Sequence, residues 1–316
     1  MQFHLTEIPG NAVPPLGKAG FFLSFDGLPI RYAVFSTIVR PFKGTVIILS
    51  GRNETIEKYF ETISALQASG FAAAIMDLRG QGFSGRTGGD IHRGHVGSFD
   101  DYATDLDSFF DAVILADCTG PFFILGHSTG SLVALLAAPA LINRVRRMVL
   151  MAPLLDFPTR SVPRGLFTFA MRLMKMIGFG KAYAQRRKFV PEPFATNVLT
   201  GDFRRYERNQ ALRGQAPELA LSGPTFGWID AAVRAIRKVS DPDFIARIHI
   251  PILFIAAGAD TVVANSAIED YARRLRSGAL VTVDGSRHEL LQEEDRYREQ
   301  ALAAFLAFVP GQSADY

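Results

Sequence analysis

The feature of this sequence that most restricts its fold is a Gly-x-Ser-x-Gly pentapeptide at residues 126–130. An apolar run at 122–125 precedes it, and small or apolar residues follow it as far as Pro139. This pattern predicts a strand, a sharp turn and a helix, an arrangement that presents a serine nucleophile above the end of a sheet. The two glycines fit because a Cβ at either position would crowd so tight a turn. We therefore interpret Ser128 as a catalytic nucleophile.

Strands and helices alternate on both sides of this turn. Largely apolar runs, typical of buried parallel strands, occur at 46–50, 71–77, 145–151 and 251–257. With helical spacing between them, they predict an α/β fold: a mostly parallel central sheet with helices on both faces. The alternation stops near Asp156 and resumes near Pro242. We therefore expect a core of residues 1–155 and 241–316 and an insertion at 156–240.

Composition limits the class of protein and its location. The chain has 316 residues, of which 48% are apolar and 21% charged, and its net charge of +3 does not by itself indicate a nucleic-acid partner. The first residues lack the basic and apolar regions of a signal peptide. The uncharged stretch 118–143 is broken by Pro121 and the glycine turn, so we interpret it as buried core rather than a membrane span. We expect a cytoplasmic protein.

The general base that a serine nucleophile needs has two candidates. Only His249 and His288 follow Ser128 in the sequence. His249 leads into a strand, whereas His288 comes just after the last predicted strand, where a side chain can hang over the sheet. We predict His288 as the base.

The orienting acid has one favoured candidate and two alternatives. Asp260 comes directly after the strand at 251–257, at the carboxyl end of the sheet. Asp156 follows the preceding core strand and stays an alternative, while Asp284 is too close in sequence to His288 to be well placed. We predict Asp260 as the acid.

The oxyanion hole requires two backbone N–H groups. We predict that one belongs to Thr129, the residue after the nucleophile, and the other to Arg52 in the loop after the strand at 46–50. The side chain of Arg52 has two interpretations, a structural salt bridge or contact with an anionic substrate.

Two other patterns are compatible with cofactors but are better explained as loops. Gly80, Gly82 and Gly85 form a Gly-x-Gly-x-x-Gly motif, yet no helix is predicted to open there, as a dinucleotide site requires. His92 and His95 have no third ligand nearby in the sequence. We predict neither a cofactor nor a metal.

The chain resembles the lysophospholipase (L2-type) and monoacylglycerol-lipase branch of the α/β-hydrolases, in which nucleophile, acid and histidine follow in that order. The resemblance is carried by the following motifs: Ser50-Gly51-Arg52-Asn53-Glu54, Glu57-Lys58-Tyr59, Asp77-Leu78-Arg79-Gly80-Gln81-Gly82-Phe83-Ser84, Gly94-His95-Val96, Gly126-His127-Ser128-Thr129-Gly130, Gly258-Ala259-Asp260 and Ser286-Arg287-His288-Glu289. It implies hydrolysis of a carboxylic ester on a single-chain lipid through an acyl-enzyme. One departure is Ser50, which stands where monoacylglycerol-lipase-type relatives have a histidine.

Two other functions stay open beside this resemblance. One is a soluble esterase or thioesterase acting on a small acyl substrate. The other is a catalytically silent binding module, which the complete set of Ser128, Asp260 and His288 disfavours.

The insertion is predicted to form a helical cap, or lid, over Ser128. Residues 158–214 contain 12 Lys and Arg against 3 Asp and Glu. The segment 165–180 is apolar around most of a helix, with Arg164, Arg172 and Lys175 in one arc. This combination is typical of a lipid–water interface or of an acyl channel whose mouth attracts phosphate. Packing against the core would give a similar pattern, and a nucleic-acid partner is not expected. Peripheral contact with the inner membrane surface stays open.

Overall fold

The computed structural model describes residues 5–87, 89–158, 164–184 and 193–309. Within them, eight strands form one sheet in the order β1-β2-β4-β3-β5-β6-β7-β8. The strands are β1 (Gly17–Leu23), β2 (Pro29–Phe35), β3 (Gly44–Leu49), β4 (Phe71–Met76), β5 (Phe122–His127), β6 (Val145–Met151), β7 (Ile252–Ala257) and β8 (Gly278–Val283). β1 and β2 are antiparallel, as are β2 and β4, and all other neighbours are parallel. The predicted mostly parallel sheet is confirmed, and β1 and β2 add an antiparallel hairpin at one edge.

Helices connect the strands at positions close to those predicted. They are α1 (Phe60–Ala68), α2 (Phe99–Phe109), α3 (Leu115–Asp117), α4 (Thr129–Ala137), α5 (Arg164–Met174), α6 (Phe203–Gln215), α7 (Phe226–Val239), α8 (Pro242–Ile245), α9 (Asn265–Arg274) and α10 (Asp295–Phe308). Short 3₁₀ or π turns lie at Ile56–Tyr59, Phe110–Ile114, Lys175–Phe179, Phe194–Thr196, Pro217–Leu219 and Leu290–Gln292. The π turn at Phe110–Ile114 joins α2 to α3, so the three form one continuous helical stretch with a local widening.

Helices cover both faces of the sheet, as a parallel sheet requires. On one face α2, α4, α7 and α9 pack against the sheet in a single apolar cluster. On the other face α1 and α10 do so in a second cluster. All six residues of β3 are buried, and so are all six of β7. Burial on both faces explains why these runs contain no charged residues.

The segment between β6 and β7 contains α5, α6, α7 and α8. The first two lie outside the sheet-covering layers, whereas α7 buries Trp228, Ala232 and Ile236 in the cluster with α2 and α4. The predicted insertion, 156–240, therefore includes one helix that packs on the core. The helix predicted at 165–180 is interrupted, because Ile177 and Gly178 have non-helical dihedral angles and Gly178 has a φ of 91°.

One group of ion pairs attaches this segment to the core, and a further ion pair lies within the segment. On α6, Arg205 and Arg208 contact Glu61 of α1, with shortest nitrogen–oxygen distances of 2.5 and 2.7 Å. Within the segment, Lys175 Nζ lies 3.1 Å from Asp230 Oδ2 of α7. These three cations, out of the twelve Lys and Arg counted at 158–214 in the sequence, are therefore paired with carboxylates.

Candidate active site

Ser128 lies in a strained turn between β5 and α4. Its φ is 50° and its ψ is −111°, and a positive φ is disfavoured for a residue with a side chain. The Ser128 N–H donates to the carbonyl oxygen of Met151 at 2.9 Å, which ties the turn to β6. Such strain persists only where the surrounding structure enforces it. The strand, turn and helix predicted from the pentapeptide are confirmed.

The two glycines of the pentapeptide allow this close packing. A Cβ at Gly130 would lie 2.1 Å from the carbonyl oxygen of Leu49, at the end of β3. A Cβ at Gly126 would lie 2.9 Å from the Cα of Ser131. Neither space can hold an additional atom, so α4 begins directly beside β3 only when both positions are glycine.

His288 and Asp260 are hydrogen-bonded to each other. The distance from His288 Nδ1 to Asp260 Oδ2 is 2.7 Å, and the exposed fractions of the two side chains are 5% and 0%. The other carboxylate oxygen of Asp260 accepts from the N–H groups of Val262 at 2.7 Å and Val263 at 3.1 Å. Asp260 is thus fixed on both oxygens and orients the ring of His288.

The charge of Asp260 determines which ring nitrogen of His288 carries the proton. Burial raises the pKa of Asp260, but the hydrogen bond from His288 and two backbone N–H groups outweigh it, so the pKa is lower than usual. An ionised carboxylate only accepts hydrogen bonds. His288 therefore carries its proton on Nδ1 when neutral, which leaves Nε2 free to accept a proton.

Ser128 and His288 line one cavity of about 540 Å³, a usual size for a ligand site. Gly51, Arg52 and Thr129, which belong to the predicted oxyanion hole or its loop, line it as well. Its apolar walls come from the strand ends and from the segment between β6 and β7: Leu154, Phe157, Val198, Leu199, Leu221, Trp228, Val262 and Val263. The structure brings all five predicted site residues to one place, with Asp260 behind His288.

The alternative residues lie elsewhere. Asp156 lines a different cavity of about 930 Å³, which contains neither Ser128 nor His288. Asp284 is exposed, and so is His249. None of the three is buried beside His288 or Ser128 in the way that Asp260 is buried beside His288.

The positions of the two predicted oxyanion donors, Thr129 and Arg52, depend on how the loop after β3 packs against the start of α4. The N–H of Thr129 is the first of α4, and the first N–H groups of a helix have no partner within it. The loop after β3 lies against this helix start, because the carbonyl oxygen of Ser50 would be 2.6 Å from a Cβ at Gly130. The side chain of Ser50, the departure from monoacylglycerol-lipase-type relatives, is buried, and its hydroxyl has no hydrogen-bond partner in the described part of the chain.

A buried charged cluster behind His288 is absent from the sequence-based prediction. His127 Nδ1 lies 3.2 Å from Glu54 Oε2, and its Nε2 lies 3.1 Å from the carbonyl oxygen of His288. Glu54 also accepts from Lys58 Nζ at 2.8 Å, and the same Nζ contacts Glu289 Oε1 at 2.6 Å. We call His127, Glu54, Lys58 and Glu289 the support cluster.

The contacts within the support cluster favour the charged forms of Glu54 and His127. Burial raises the pKa of Glu54, but the neighbouring Lys58 and His127 outweigh it and hold the pKa well below its usual value. Burial lowers the pKa of His127, but the charge of Glu54 outweighs it and raises the pKa. Both ring nitrogens of His127 face acceptors, which suits a doubly protonated ring. The sequence contains a signal for this cluster, since Glu54 and Lys58 are four residues apart on one side of a turn.

The glycine motif and the loop histidines have structural contacts. The loop at Gly82 packs closely against the carboxylate of Asp77, and no helix begins at residues 80–87. His92 Nδ1 contacts the carbonyl oxygen of Ala220 and His95 Nδ1 contacts Thr225 Oγ1, each at 2.9 Å. In the described part of the chain, His, Cys, Asp and Glu side chains form no group of three that could hold a metal ion.

This sheet order, with a serine at a strained turn after β5 and a hydrogen-bonded aspartate and histidine after β7 and β8, defines an α/β-hydrolase. The chain matches the family described as serine aminopeptidase, S33, over residues 40–295, and it belongs to this family. It is 31% identical over 306 residues to lysophospholipase L2 of Escherichia coli (strain K12), covering 91% of this chain and 86% of that protein. It is 26% identical to the probable lysophospholipase L2 of Haemophilus influenzae, covering 85% and 84%.

A solved structure confirms the fold. A soluble variant of monoglyceride lipase from Saccharomyces cerevisiae, in complex with a substrate analogue, superposes with a TM-score of 0.74 at 18% identity and covers 94% of this chain and 95% of that chain. The predicted resemblance to lysophospholipase and monoacylglycerol-lipase-like α/β-hydrolases is therefore confirmed. Among the described residues, no helix combines the length and the apolar character needed to cross a bilayer.

Proposed function

We propose that this chain, a carboxylic ester hydrolase, cleaves the acyl ester of single-chain lipids, lysophospholipids or monoacylglycerols, through a serine acyl-enzyme. The observation that carries the proposal is the 2.7 Å hydrogen bond between His288 and Asp260 in a largely apolar cavity shared with Ser128. The similarity to lysophospholipases L2 supports the class of substrate.

The residues take the following roles in the reaction. His288 Nε2 accepts the proton of Ser128 Oγ as this oxygen attacks the ester carbonyl carbon. Asp260 orients the ring and stabilises the imidazolium that forms. The N–H groups of Thr129 and Arg52 hold the oxyanion of the tetrahedral intermediate. His288 then protonates the departing alcohol, and water hydrolyses the acyl-enzyme with His288 again acting as base.

The support cluster has a positioning role in this mechanism. Through its Nε2, His127 contacts the carbonyl oxygen of His288, while Lys58 holds Glu289, the residue that follows His288. These contacts fix the backbone on which the base is mounted, whereas Asp260 fixes its ring. We therefore infer that loss of the cluster disturbs the base without removing any reacting group.

The acyl chain has space beyond the ester. Phe157 and Pro158 line both the 540 Å³ cavity around Ser128 and the 930 Å³ cavity beside α5, α7 and α9. The two spaces are thus neighbours, separated by residues of the segment that follows β6. We propose that the acyl chain extends from Ser128 toward this boundary.

The outer face of α5 and its following turn is suited to a lipid surface. Large apolar side chains there are 42–74% exposed: Leu166, Phe169, Leu173, Met176, Ile177 and Phe179. The exposed Arg172 lies among them. Lys175 instead pairs with Asp230, and the side chain of Arg164 lies outside the described residues. An apolar helix face with an adjacent cation is typical of peripheral contact with an anionic bilayer, and we propose that α5 is the contact element.

The test is ester hydrolysis by the wild type and Ser128→Ala on one substrate panel. The panel contains p-nitrophenyl butyrate, monoacylglycerol and lysophospholipid with the same long acyl chain, and an amino-acyl arylamide. We expect the highest kcat/KM on the single-chain lipids and its loss in Ser128→Ala. Activity confined to the short ester would replace the proposal with a soluble esterase. Absence of any hydrolysis and of fluorophosphonate labelling would indicate a binding module.

A further inference from the structure

We propose that the guanidinium of Arg52 binds the phosphate of a phosphate-bearing substrate, which makes the enzyme selective for lysophospholipids over neutral monoacylglycerols. This inference rests on the proposed function, because it assigns the head group of the lipid cleaved at Ser128. It goes beyond the N–H of Arg52, which serves the oxyanion, and concerns the side chain alone.

The charge of Arg52 is not neutralised. In the described part of the chain it forms no ion pair; its Nη2 donates to the carbonyl oxygen of Ser222 at 2.7 Å, and its guanidinium lies 5.4 Å from the centre of the Trp228 ring. Its Nε is buried and lacks a hydrogen-bond partner. Burial lowers the pKa of this guanidinium to about 10, so it is a cation that lacks a counter-charge.

Other buried arginines in the same fold are paired. Arg31 contacts Glu57 at 2.7 Å and Asp77 at 2.6 Å. Arg79 contacts Asp105 at 2.6 Å and Asp26 at 2.8 Å. A buried cation without an acid is costly, and Arg52 differs from these two arginines because it forms no ion pair among the residues that the structure describes.

The cavity around Arg52 cannot supply the missing acid from its own walls. The two carboxylates that line it, Glu54 and Glu289, are both held by Lys58. The other arginine of the cavity, Arg213, adds a further positive charge and donates to the carbonyl oxygen of Asn53 at 3.3 Å. The charges without an ion-pair partner among the residues that line the cavity are therefore positive, and they border the space proposed for the substrate.

Arg52 and Ser128 line the same cavity. In a lysophospholipid the phosphate is joined to the ester through the short glycerol unit, so an ester bound at Ser128 places the phosphate within that cavity. The proposal assigns this phosphate to the guanidinium of Arg52, while the backbone N–H of Arg52 serves the oxyanion. A planar guanidinium binds phosphate oxygens through two parallel hydrogen bonds, which an ammonium cannot do.

The experiment compares Arg52→Met, Arg52→Lys and Arg213→Met with the wild type on two lipids that share one acyl chain, lysophosphatidylglycerol and monoacylglycerol, in mixed micelles. We expect Arg52→Met to lower the ratio of the two kcat/KM values roughly ten- to a hundredfold, mainly through KM for the phospholipid. Arg52→Lys should restore part of this ratio. Because monoacylglycerol has no phosphate, its kcat/KM measures any effect of the substitution on the oxyanion hole. Equal losses on both lipids, or the same loss of ratio in Arg213→Met alone, would overturn the assignment.

Competition with non-hydrolysable molecules identifies the source of the phosphate and works even where a variant does not fold. In the wild type, an ether analogue of the lysophospholipid must inhibit at least tenfold more strongly than the corresponding alkylglycerol ether, and equal inhibition overturns the proposal. Inhibition by sn-glycerol 3-phosphate as well shows that the site accepts the phosphate ester alone. A wild type that cleaves neither lipid refutes the proposed function, whereas one that cleaves both without discrimination refutes only the role of Arg52.

Discussion

Lys58 and Glu289 form a buried ion pair of 2.6 Å between Nζ and Oε1, although they are 231 positions apart in the sequence. The pair joins the short helix Ile56–Tyr59, which follows the loop of the proposed oxyanion donor Arg52, to the residue next to His288. Two parts of the proposed reaction centre that are far apart in the sequence are thereby linked.

Lys58→Met tests the importance of this link. The substitution leaves Glu54 and Glu289 buried without their cation, and we expect the free energy of unfolding to fall by about 3–5 kcal/mol. Urea denaturation at neutral pH measures the change. Lys18→Met is the matched control, because Lys18 pairs with Asp117 while its side chain is 62% exposed, and its effect should be much smaller because water screens an exposed pair. A similar small effect for both variants would contradict the structural role of the pair.

Asp260→Asn tests the assignment of the acid. Without the carboxylate, His288 loses the partner that fixes its Nδ1 proton, and we expect kcat on an ester substrate to fall roughly 10³–10⁴-fold. Steady-state kinetics measure this loss, with Asp156→Asn and Asp284→Asn as controls that should retain most activity. The acid is misassigned if Asp156→Asn shows the larger loss.

Glu61→Gln tests the attachment of α6 to α1. Burial raises the pKa of Glu61, but hydrogen bonds from Arg205 and Arg208 outweigh it and lower the pKa to about 2. A lowered pKa in the folded state stabilises the protein above the unfolded value of about 4.5, and this stability is lost as the pH falls toward 2. We expect Glu61→Gln to be about 1–3 kcal/mol less stable at pH 7, with a smaller difference at pH 3.

Urea unfolding at the two pH values checks this prediction. Glu299→Gln, an exposed glutamate on α10, should differ little from the wild type at either pH. A difference for Glu61→Gln that is independent of pH would show that its charge does not hold α6.

Gly130→Ala tests the packing at the serine turn. The added Cβ would meet the carbonyl oxygen of Leu49 at 2.1 Å, and we expect a loss of about 3 kcal/mol or more, because backbone atoms must move. Gly214→Ala is the control, since Gly214 lies in α6 with no neighbour within 4 Å of a Cβ. Thermal unfolding should show it unchanged or up to about 1 kcal/mol more stable.

The apolar face of α5 predicts binding to lipid. Phe169→Gln combined with Met176→Gln removes two exposed apolar side chains, and we expect about tenfold or greater loss of binding to vesicles of phosphatidylglycerol and phosphatidylcholine. Co-sedimentation measures the binding. Ile38→Gln is the control, because Ile38 is 79% exposed and lies in the chain between β2 and β3, outside α5 and its following turn. Equal binding by all three proteins would refute α5 as the contact element.

The sequence predicts the sheet and the hydrogen-bonded His288–Asp260 pair because both depend on local patterns: apolar runs, a glycine turn, and polar residues at strand ends. For the support cluster it offers only the four-residue spacing of Glu54 and Lys58; the pairing of Lys58 with Glu289 is not predicted, because nothing near either residue in the sequence identifies so distant a partner. Lys175 shows the same limit. Its position in one helical arc with Arg164 and Arg172 predicts a cation at a lipid surface, whereas in the fold Lys175 pairs with Asp230 of α7. Long-range pairing of charges decides these cases.

The crossover between β6 and β7 has an evolutionary consequence. These strands are parallel neighbours, and α7 already supplies the connection that covers the sheet between them. The chain between the end of β6 and the start of α7 contains no strand of the sheet, so exchanging it in a chimaera leaves every strand register unchanged. A donor segment must keep the carbonyl oxygen of Leu199, which accepts from the N–H of Glu289 at 2.8 Å. Recombination in that one stretch would change the cavity walls while Ser128, Asp260 and His288 stay in the core.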